Sequence, residues 1–255
     1  WPMLAYIVVP RTGPQNITIE LSGAASGTHK FGETMKRHPL ERIVRPRLLD
    51  LFCCAGGAGM GYARAGFDVV GVDIEPQPRY PFEFHQGDAL EFLREHGHKF
   101  DAVHASPPCQ AYSETRKIQN NSHPELIPPT RAALQRLGLP WVIENVPGSP
   151  LVDPVELCGA MFGLRTYRHR LFETSFPVTV PMHPAHEAPQ AKMGRPPKDG
   201  DFIHVVGNFS GVEYAKAAMG IDWMNRNEMA QAIPPTYTEY LGWQLRAAMM
   251  LRLAA

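Results

Sequence analysis

A cysteine on a proline-stiffened loop is the side chain of this sequence best placed to act as a nucleophile. The loop is Ser106-Pro107-Pro108-Cys109-Gln110, and it follows residues 100–105, an apolar run that predicts a short buried strand. Each proline fixes its own φ at about −65° and disfavours helix at the residue before it, so Cys109 follows a rigid, extended step. Such a cysteine is either an inert buried side chain or, as the thiolate, a nucleophile. Its surroundings must decide between the two.

A glycine-rich turn upstream has the layout of a nucleotide-type cofactor site. Residues 47–52 predict an apolar strand, residues 53–61 carry four glycines, and a helix-like segment follows. Glycine lets the backbone approach a ligand closely, and a helix N-terminus offers free N–H groups. The next strand ends in Asp73, and Asp88 precedes a predicted helix over residues 89–95. Each acid alone is more typical of a helix cap, but acids at successive strand ends favour an adenosine-type cofactor.

Two further segments place charges beside predicted strands. Residues 140–146 predict a buried strand that ends in Glu144-Asn145, where a carboxylate is costly unless it is paired or used. Arg168 and Arg170 stand two positions apart, and strand alternation predicts that both point to one face. For the arginines alone, a solvated surface strand is an equally good interpretation.

These motifs, in this order, resemble the DNA (cytosine-5) methyltransferase family, closely over residues 48–172 and loosely over residues 221–252. The resemblance implies catalytic roles for Cys109, Glu144, Arg168 and Arg170. It implies an S-adenosylmethionine site formed by Phe52, Cys54, Ala55, Gly56, Gly57, Asp73, Ile74, Asp88, Ala89 and Pro108. It implies substrate contacts from Ser106, Pro107, Gln110, Ser113, Asn145 and Val146. Residues 232–235 and 240–245 are similar to the last helix motif of the family.

The resemblance also implies a reaction. The Cys109 thiolate adds to C6 of cytosine, Glu144 contacts N3 and the exocyclic amine, and the activated C5 accepts the methyl group. Arg168 and Arg170 then steady the pyrimidine O2 and the backbone phosphate, and they favour the thiolate. Because C5 and C6 are stacked inside a duplex, the target base must be flipped out or presented single-stranded. The expected partner is DNA, with a flipped cytosine in a duplex.

The sequence departs from the family at two places and leaves alternatives open. Cys54 stands where the family has its first cofactor-loop glycine, and Ala230-Gln231 replaces the usual Gly-Asn. One alternative keeps the chemistry but moves it to RNA, single-stranded DNA or a free nucleotide, since fewer than 50 residues separate Phe172 from Ile221. The other is a binding protein that has lost turnover through the two departures. A lobe this short predicts a recognition site of about two to four base pairs.

The expected fold class is α/β, a doubly wound Rossmann-like S-adenosylmethionine-dependent methyltransferase fold with a small inserted lobe. We predict a poorly structured basic arm at residues 1–46, a catalytic and cofactor-binding domain at 47–174, a target-recognition lobe at 175–227 and a returning C-terminal segment at 228–255, with its helix over 238–251. Residues 202–206 predict a strand in the lobe. Residues 113–123 predict a loop over the cysteine.

Composition limits the setting. Lys+Arg and Asp+Glu both total 25, so no overall basic field exists and DNA contact must use a local patch such as residues 30–47. The four cysteines lack the spacing of a disulfide framework or a zinc site, which points to a reducing compartment. The apolar run at residues 4–9 is too short for a signal peptide or a membrane span. We expect a cytoplasmic monomer of a prokaryotic or phage-infected cell, in a role such as restriction-modification. His183 and His186 have metal-ligand spacing but no cysteine partner nearby, so we expect no metal.

Overall fold

Seven strands form one sheet in the computed structural model, which describes residues 45–109, 124–191 and 195–253. The strands are β1 (Arg47–Leu51), β2 (Asp68–Asp73), β3 (Glu83–Gln86), β4 (Ala102–Ala105), β5 (Trp141–Asn145), β6 (Val155–Leu157) and β7 (Arg170–Thr174). Their order across the sheet is β3-β2-β1-β4-β5-β7-β6. Strands β1 to β5 pair in parallel, and β7 is antiparallel to both β5 and β6.

Helices cover both faces of this sheet. They are α1 (Gly57–Arg64), α2 (Ala89–His96), α3 (Ile127–Leu137), α4 (Val212–Met219), α5 (Arg226–Gln231) and α6 (Pro235–Leu253), with 3₁₀ turns at Gly97–Lys99 and Gly159–Phe162. Successive strand residues point to opposite faces. Leu49 of β1 therefore joins a core with α2 and α3, whereas its neighbour Leu48 joins a core that holds Tyr62 of α1 and Leu245 of α6. The predicted doubly wound α/β fold is confirmed.

The strand order places the predicted site residues at one edge. Leu51 pairs with Val72 on one side and with Ala105 on the other, so β1, β2 and β4 end at the same level. The chain leaves β1 toward β2 on one side and β4 on the other, so the order of the strands reverses at β1. Open α/β sheets typically bind their ligands at the carboxyl ends of the strands, next to such a reversal.

The C-terminal helix packs directly on the helix that follows the glycine-rich turn. A methyl group at Gly61 would collide with the carbonyl oxygen of Pro235 and the hydroxyl of Thr238. That hydroxyl donates a hydrogen bond to the carbonyl of Ala58 at 2.8 Å. Helix α6 begins at Pro235, three residues before the predicted start, because proline is well suited to the first turn of a helix. None of the helices in the described ranges has the length and apolarity needed to cross a membrane.

The lobe after β7 has a small core of its own. Ile203, Val205 and Phe209 pack there against Met219 of α4 and Met229 of α5. The predicted strand over residues 202–206 is wrong: only Phe202 makes a bridge, to Gln190. The apolar alternation at Ile203 and Val205 reflects burial against helices, since no neighbouring strand among the described residues extends the pairing. The boundaries of the lobe stay a prediction.

Candidate active site at the carboxyl edge of the sheet

Cys109 lies just beyond the carboxyl end of β4, as predicted, with its side chain partly exposed. The side-chain amide of Asn145 donates to the carbonyl of Pro107 at 2.8 Å and thereby ties the end of β5 to the proline loop. Burial raises the pKa of the Cys109 thiol; Arg170 lowers it, Glu144 raises it and Arg168 lowers it. The arginines favour the thiolate as predicted, but burial outweighs them and the pKa rises.

Glu144 is buried at the end of β5 and is paired. Nε of Arg170 lies 3.1 Å from its Oε1. Burial raises the pKa of the Glu144 carboxyl, while Arg170, a hydrogen bond with the Ser106 side chain and Arg168 lower it. The site therefore holds a buried carboxyl group whose pKa is raised and whose position is fixed by Arg170 and Ser106.

The two arginines do not share a strand face, so that prediction is wrong. Strand β7 begins at Arg170, and Arg168 lies before it with a φ of 27°, in left-handed backbone. The Arg168 guanidinium is buried and donates to the carbonyls of Val205 at 2.6 Å and Ala230 at 2.9 Å. Burial lowers its pKa to about 9. Arg168 thus joins the lobe to the site, and Arg170 alone pairs with Glu144.

A chain of hydrogen bonds, which the sequence did not reveal, leads from Tyr62 in the core to Glu144. The Tyr62 hydroxyl lies 3.0 Å from Nδ1 of His104, and Nε2 of His104 lies 2.9 Å from the hydroxyl of Ser106. Ser106 in turn bonds Glu144. Burial lowers the pKa of His104 to about 3, so the ring is neutral and has one donor and one acceptor nitrogen. The only hint in the sequence was a histidine within an apolar strand.

The backbone of the glycine-rich loop turns through unusual conformations. Phe52 and Cys54 have φ of 56° and 43°, and Gly56 has φ of 84°. Burial raises the pKa of the Cys54 thiol to about 12. The Cys54 sulfur lies 3.6 Å from Oε1 of Gln231. The backbone N–H of Cys54 donates to Oδ2 of Asp73 at 2.9 Å. The two departures from the family motifs, 177 residues apart, are therefore in contact.

The two predicted cofactor acids have different local roles. Asp88 caps α2, since its Oδ1 accepts from the N–H groups of Leu90 and Glu91. Asp73 accepts one backbone N–H on each oxygen, from Cys54 and Glu75, and an ionised carboxylate has further lone pairs free. The cap interpretation holds for Asp88, and its contact with a cofactor stays a prediction.

Asp50 is a buried acid at the same edge; it belongs to the segment similar to the family's cofactor loop, but no role of its own could be assigned to it from the sequence. The Tyr80 hydroxyl donates to its Oδ2 at 3.1 Å, and Oδ1 has no hydrogen-bond partner in the described part of the chain. Burial raises the pKa of Asp50 to about 8, against the lowering effect of Tyr80. Trp223 from the lobe donates to the carbonyl of Ala55 at 2.8 Å and closes the loop from the other side.

The remaining predicted residues fall into two groups. Those in the described ranges follow the carboxyl ends of β1 to β5: Phe52, Ala55, Gly56, Gly57, Ile74, Ala89, Pro108 and Val146. Gln110, Ser113, the rest of the predicted loop at 113–123 and residues 1–44 of the predicted arm lie outside the described residues.

The expectation that His183 and His186 lack a cysteine partner is wrong. Sγ of Cys158, which follows β6, lies 3.4 Å from Nε2 of His186. His169, between the two arginines, lies 3.2 Å from His183 through the Nε2 atoms. Sequence distance concealed the group because 28 residues separate Cys158 from His186.

Comparison with known sequences gives two partial matches, and no protein-family model matches the chain. The chain is 29% identical over 85 residues to the Type II methyltransferase M.FnuDI of Fusobacterium nucleatum. It is 32% identical over 97 residues to the putative ribosomal RNA large subunit methyltransferase MJ1653 of Methanocaldococcus jannaschii. Each match covers 31% of this chain and 25% of the relative, so the chain spans about a quarter of the length of these curated relatives.

Solved structures match over much more of the chain. A putative DNA modification methyltransferase encoded within an E. coli prophage is similar with a TM-score of 0.56 at 15% identity, over 79% of this chain and 99% of that one. Methyltransferase EhMeth of Entamoeba histolytica gives 0.54 at 13% identity, and Dnmt2 of S. pombe gives 0.52 at 11%; each match covers 80% of this chain and 99% of the other. The fold is that of the Rossmann-like S-adenosylmethionine-dependent methyltransferases.

Within that fold, the comparisons agree with the resemblance to the DNA (cytosine-5) methyltransferase family that the motifs carry. The same edge of the sheet holds Asp73, Cys109 and Glu144 in the order that the family motifs require.

Proposed function

We propose that this protein transfers a methyl group from S-adenosylmethionine to C5 of cytosine in DNA, through a covalent bond between Cys109 and C6. The observation that carries the proposal is the convergence of three side chains at one sheet edge. Glu144 is buried 3.1 Å from Arg170, and both side chains are close enough to Cys109 to affect the pKa of its thiol. A nucleophile beside a carboxyl that can serve as an acid suits addition to a poorly electrophilic ring.

The roles follow from the chemistry of the ring. The Cys109 sulfur forms a bond to C6, the electrons of the C5–C6 double bond move through C4 toward N3, and Glu144 donates its proton to N3. C5 becomes nucleophilic and takes the methyl group from the sulfonium sulfur of S-adenosylmethionine, which is left as a neutral thioether. A base then removes the C5 proton, the C5–C6 double bond re-forms as the Cys109 thiolate leaves, and N3 returns its proton to the Glu144 carboxylate. The burial that raises the pKa of Glu144 favours the protonated form that this step needs. Arg170 holds the carboxyl in place and stabilises it once the proton has left.

The residues of the loop fit the proposed cofactor. A side chain at Gly56 would meet Tyr80 and Pro81 at about 3 Å, and the φ of 84° also favours glycine, so the backbone of this turn stays bare. Asp73 has lone pairs left for ribose hydroxyls, and the adjacent Ile74 side chain is 66% exposed, as an apolar surface for a base would be. When bound, S-adenosylmethionine supplies an electrophilic methyl group. Its binding leaves Cys109 and Glu144 free to act on the base.

Two substrates compete. DNA is favoured by the relatives described as a type II methyltransferase and as a prophage DNA modification methyltransferase. RNA is the second candidate, because the other sequence relative is described as a putative ribosomal RNA methyltransferase. Because the lobe after β7 is small, we expect it to make few contacts with the bases of DNA or of RNA.

The test is product analysis with substrates in parallel. Purified protein and S-adenosylmethionine are incubated with randomised duplex DNA, single-stranded DNA, RNA or dCTP, and the digested nucleosides are quantified by mass spectrometry. We expect 5-methylcytosine in duplex DNA with the wild type and none with Cys109→Ser, while both proteins bind the cofactor in calorimetry. Methylation of RNA alone would overturn the DNA assignment. Cofactor binding without any methylated product would identify a binding protein instead.

A further inference from the structure

One cysteine and three histidines meet close to the start of β7, outside the residues proposed for methyl transfer. This Cys-His cluster consists of Cys158, His169, His183 and His186. Cys158 follows β6, His169 precedes β7, and the other two histidines lie in the segment after β7. One ligand atom from each residue lies within 4.8 Å of all the others.

Two of the contacts between these ligand atoms have the lengths expected in a zinc coordination sphere. Zinc bonds of about 2.3 Å to sulfur and about 2.0–2.1 Å to nitrogen, at tetrahedral angles, put neighbouring ligand atoms about 3.6 Å (S to N) and about 3.3 Å (N to N) apart. Here Sγ of Cys158 is 3.4 Å from Nε2 of His186, and the Nε2 atoms of His169 and His183 are 3.2 Å apart. A thiol hydrogen bond explains the first contact, but it does not explain why two more imidazoles converge on it.

The surroundings orient the ligand atoms. Nδ1 of His183 lies 2.9 Å from the carbonyl of Pro184, which places the ring proton there and leaves Nε2 free toward the cluster. The ring of His186 stacks on Tyr167 with centroids 3.7 Å apart, and the Tyr167 hydroxyl bonds the carbonyl of Ala188 at 3.0 Å. Outer contacts of this kind are typical of built metal sites, where they fix the tautomer and the ring plane.

We propose that the Cys-His cluster binds one Zn²⁺ ion in a closed, tetrahedral structural site. A thiolate with three neutral imidazoles is a donor set that zinc prefers, and four protein ligands leave no position for a substrate. The ion would tie the segment after β7 to β6 and β7. It would also fix His169, which stands between Arg168 and Arg170, so the site positions the arginine pair without touching the reacting atoms. The proposal is independent of the methyl acceptor.

The experiment measures bound metal directly, without cofactor or nucleic acid. Untagged full-length protein with reduced thiols is saturated with Zn²⁺, desalted and analysed by inductively coupled plasma mass spectrometry. We expect one zinc per chain in the wild type and less than a tenth of that in His183→Ala, His186→Ala and Cys158→Ser. His183 and His186 are exposed, so their replacement leaves the core intact. His204→Ala, at an exposed histidine outside the cluster, is the matched control and should keep the full zinc content.

Cobalt substitution adds a reading of the ligand sphere. Co²⁺ in place of zinc should give the absorption of a tetrahedral site together with a sulfur-to-cobalt charge-transfer band, and Cys158→Ser should lose that band. The proposal is overturned if the zinc-saturated wild type holds less than a tenth of an ion per chain. It is equally overturned if the two histidine variants bind as much metal as the control.

Discussion

The Arg170 side chain lies 3.1 Å from the carboxyl of Glu144, and both groups are largely withdrawn from solvent at the edge that carries Cys109. The pair spans two neighbouring strands, since Glu144 on β5 stands opposite Phe172 on β7 in antiparallel register. Replacing Glu144 would leave the buried Arg170 guanidinium without this partner, so the contact stabilises the position of both side chains. This relationship gives the site an oriented acid.

Glu144→Gln should lower methyl transfer by about 10²–10³, because an amide cannot give a proton to the ring while it keeps the shape of the carboxyl. Turnover at saturating cofactor and DNA is the measurement, with cofactor affinity as the check that the fold survives. Glu91→Gln, at an exposed acid on α2, is the control and should match the wild type. A Glu144→Gln turnover within threefold of the wild type would remove Glu144 from the chemistry.

Cys54 should tolerate glycine and reject a branched side chain. Its φ of 43° is a conformation that β-branched residues strongly disfavour, so Cys54→Val should lower the free energy of unfolding by about 1–3 kcal/mol. Cys54→Gly should stay within about 1 kcal/mol of the wild type, since glycine adopts this backbone without strain. Urea denaturation of the three proteins measures both changes. Equal stability of the valine variant would mean that the loop does not hold this conformation.

Asp50 should make stability fall as pH rises. Burial raises its folded-state pKa to about 8 from an ordinary 3.8, so the folded chain holds a proton that the unfolded chain has released between those values. The stabilisation is fully present below about pH 4 and is lost as pH rises through 8, by up to about 1.4 kcal/mol per pH unit. Asp50→Asn should gain stability relative to the wild type between pH 5 and pH 8 in denaturation experiments. A constant difference across that range would contradict the shift.

Two glycine-to-alanine changes should separate packing from backbone effects. Gly61→Ala drives a methyl group into α6, so we expect a loss of about 1–3 kcal/mol or more in the free energy of unfolding, although alanine favours helix. Gly87→Ala meets no atom within 4 Å and should be neutral or slightly stabilising. Thermal and urea unfolding give the comparison. Equal effects of the two changes would show that α1 and α6 are not packed as described.

The strand ends could be predicted from the sequence because their causes are local. Residues 100–105 are mostly apolar and contain no chain breaker, and two prolines follow at positions 107 and 108, so the position of Cys109 could be predicted. The same holds for Asp73 and for Glu144, each at the end of an apolar run. The alternation of apolar and polar residues and the chain-breaking prolines and glycines act over a few residues. Their effects can therefore be predicted from the sequence.

The contacts that complete the site join distant parts of the chain and could not be predicted. Arg168 takes its direction from the carbonyls of Val205 and Ala230, 37 and 62 residues away. These long-range partners, and not the alternation of a strand, set its left-handed backbone. In the same way the contact of Cys54 with Gln231 depends on how α5 folds back on the loop, which no local pattern encodes.

Covalent trapping shows whether the Cys109 sulfur bonds to C6 of the target cytosine. Randomised duplex DNA containing 5-fluorocytosine is incubated with the protein and S-adenosylmethionine, since fluorine cannot leave C5 as the proton must and the Cys109 sulfur then stays bound to C6. We predict a protein–DNA adduct that resists denaturation, maps by peptide mass spectrometry to Cys109, is absent in Cys109→Ser and persists in Cys53→Ser. Methylation of ordinary DNA by a protein that forms no adduct with the fluorinated DNA, or an adduct on another residue, would contradict the account.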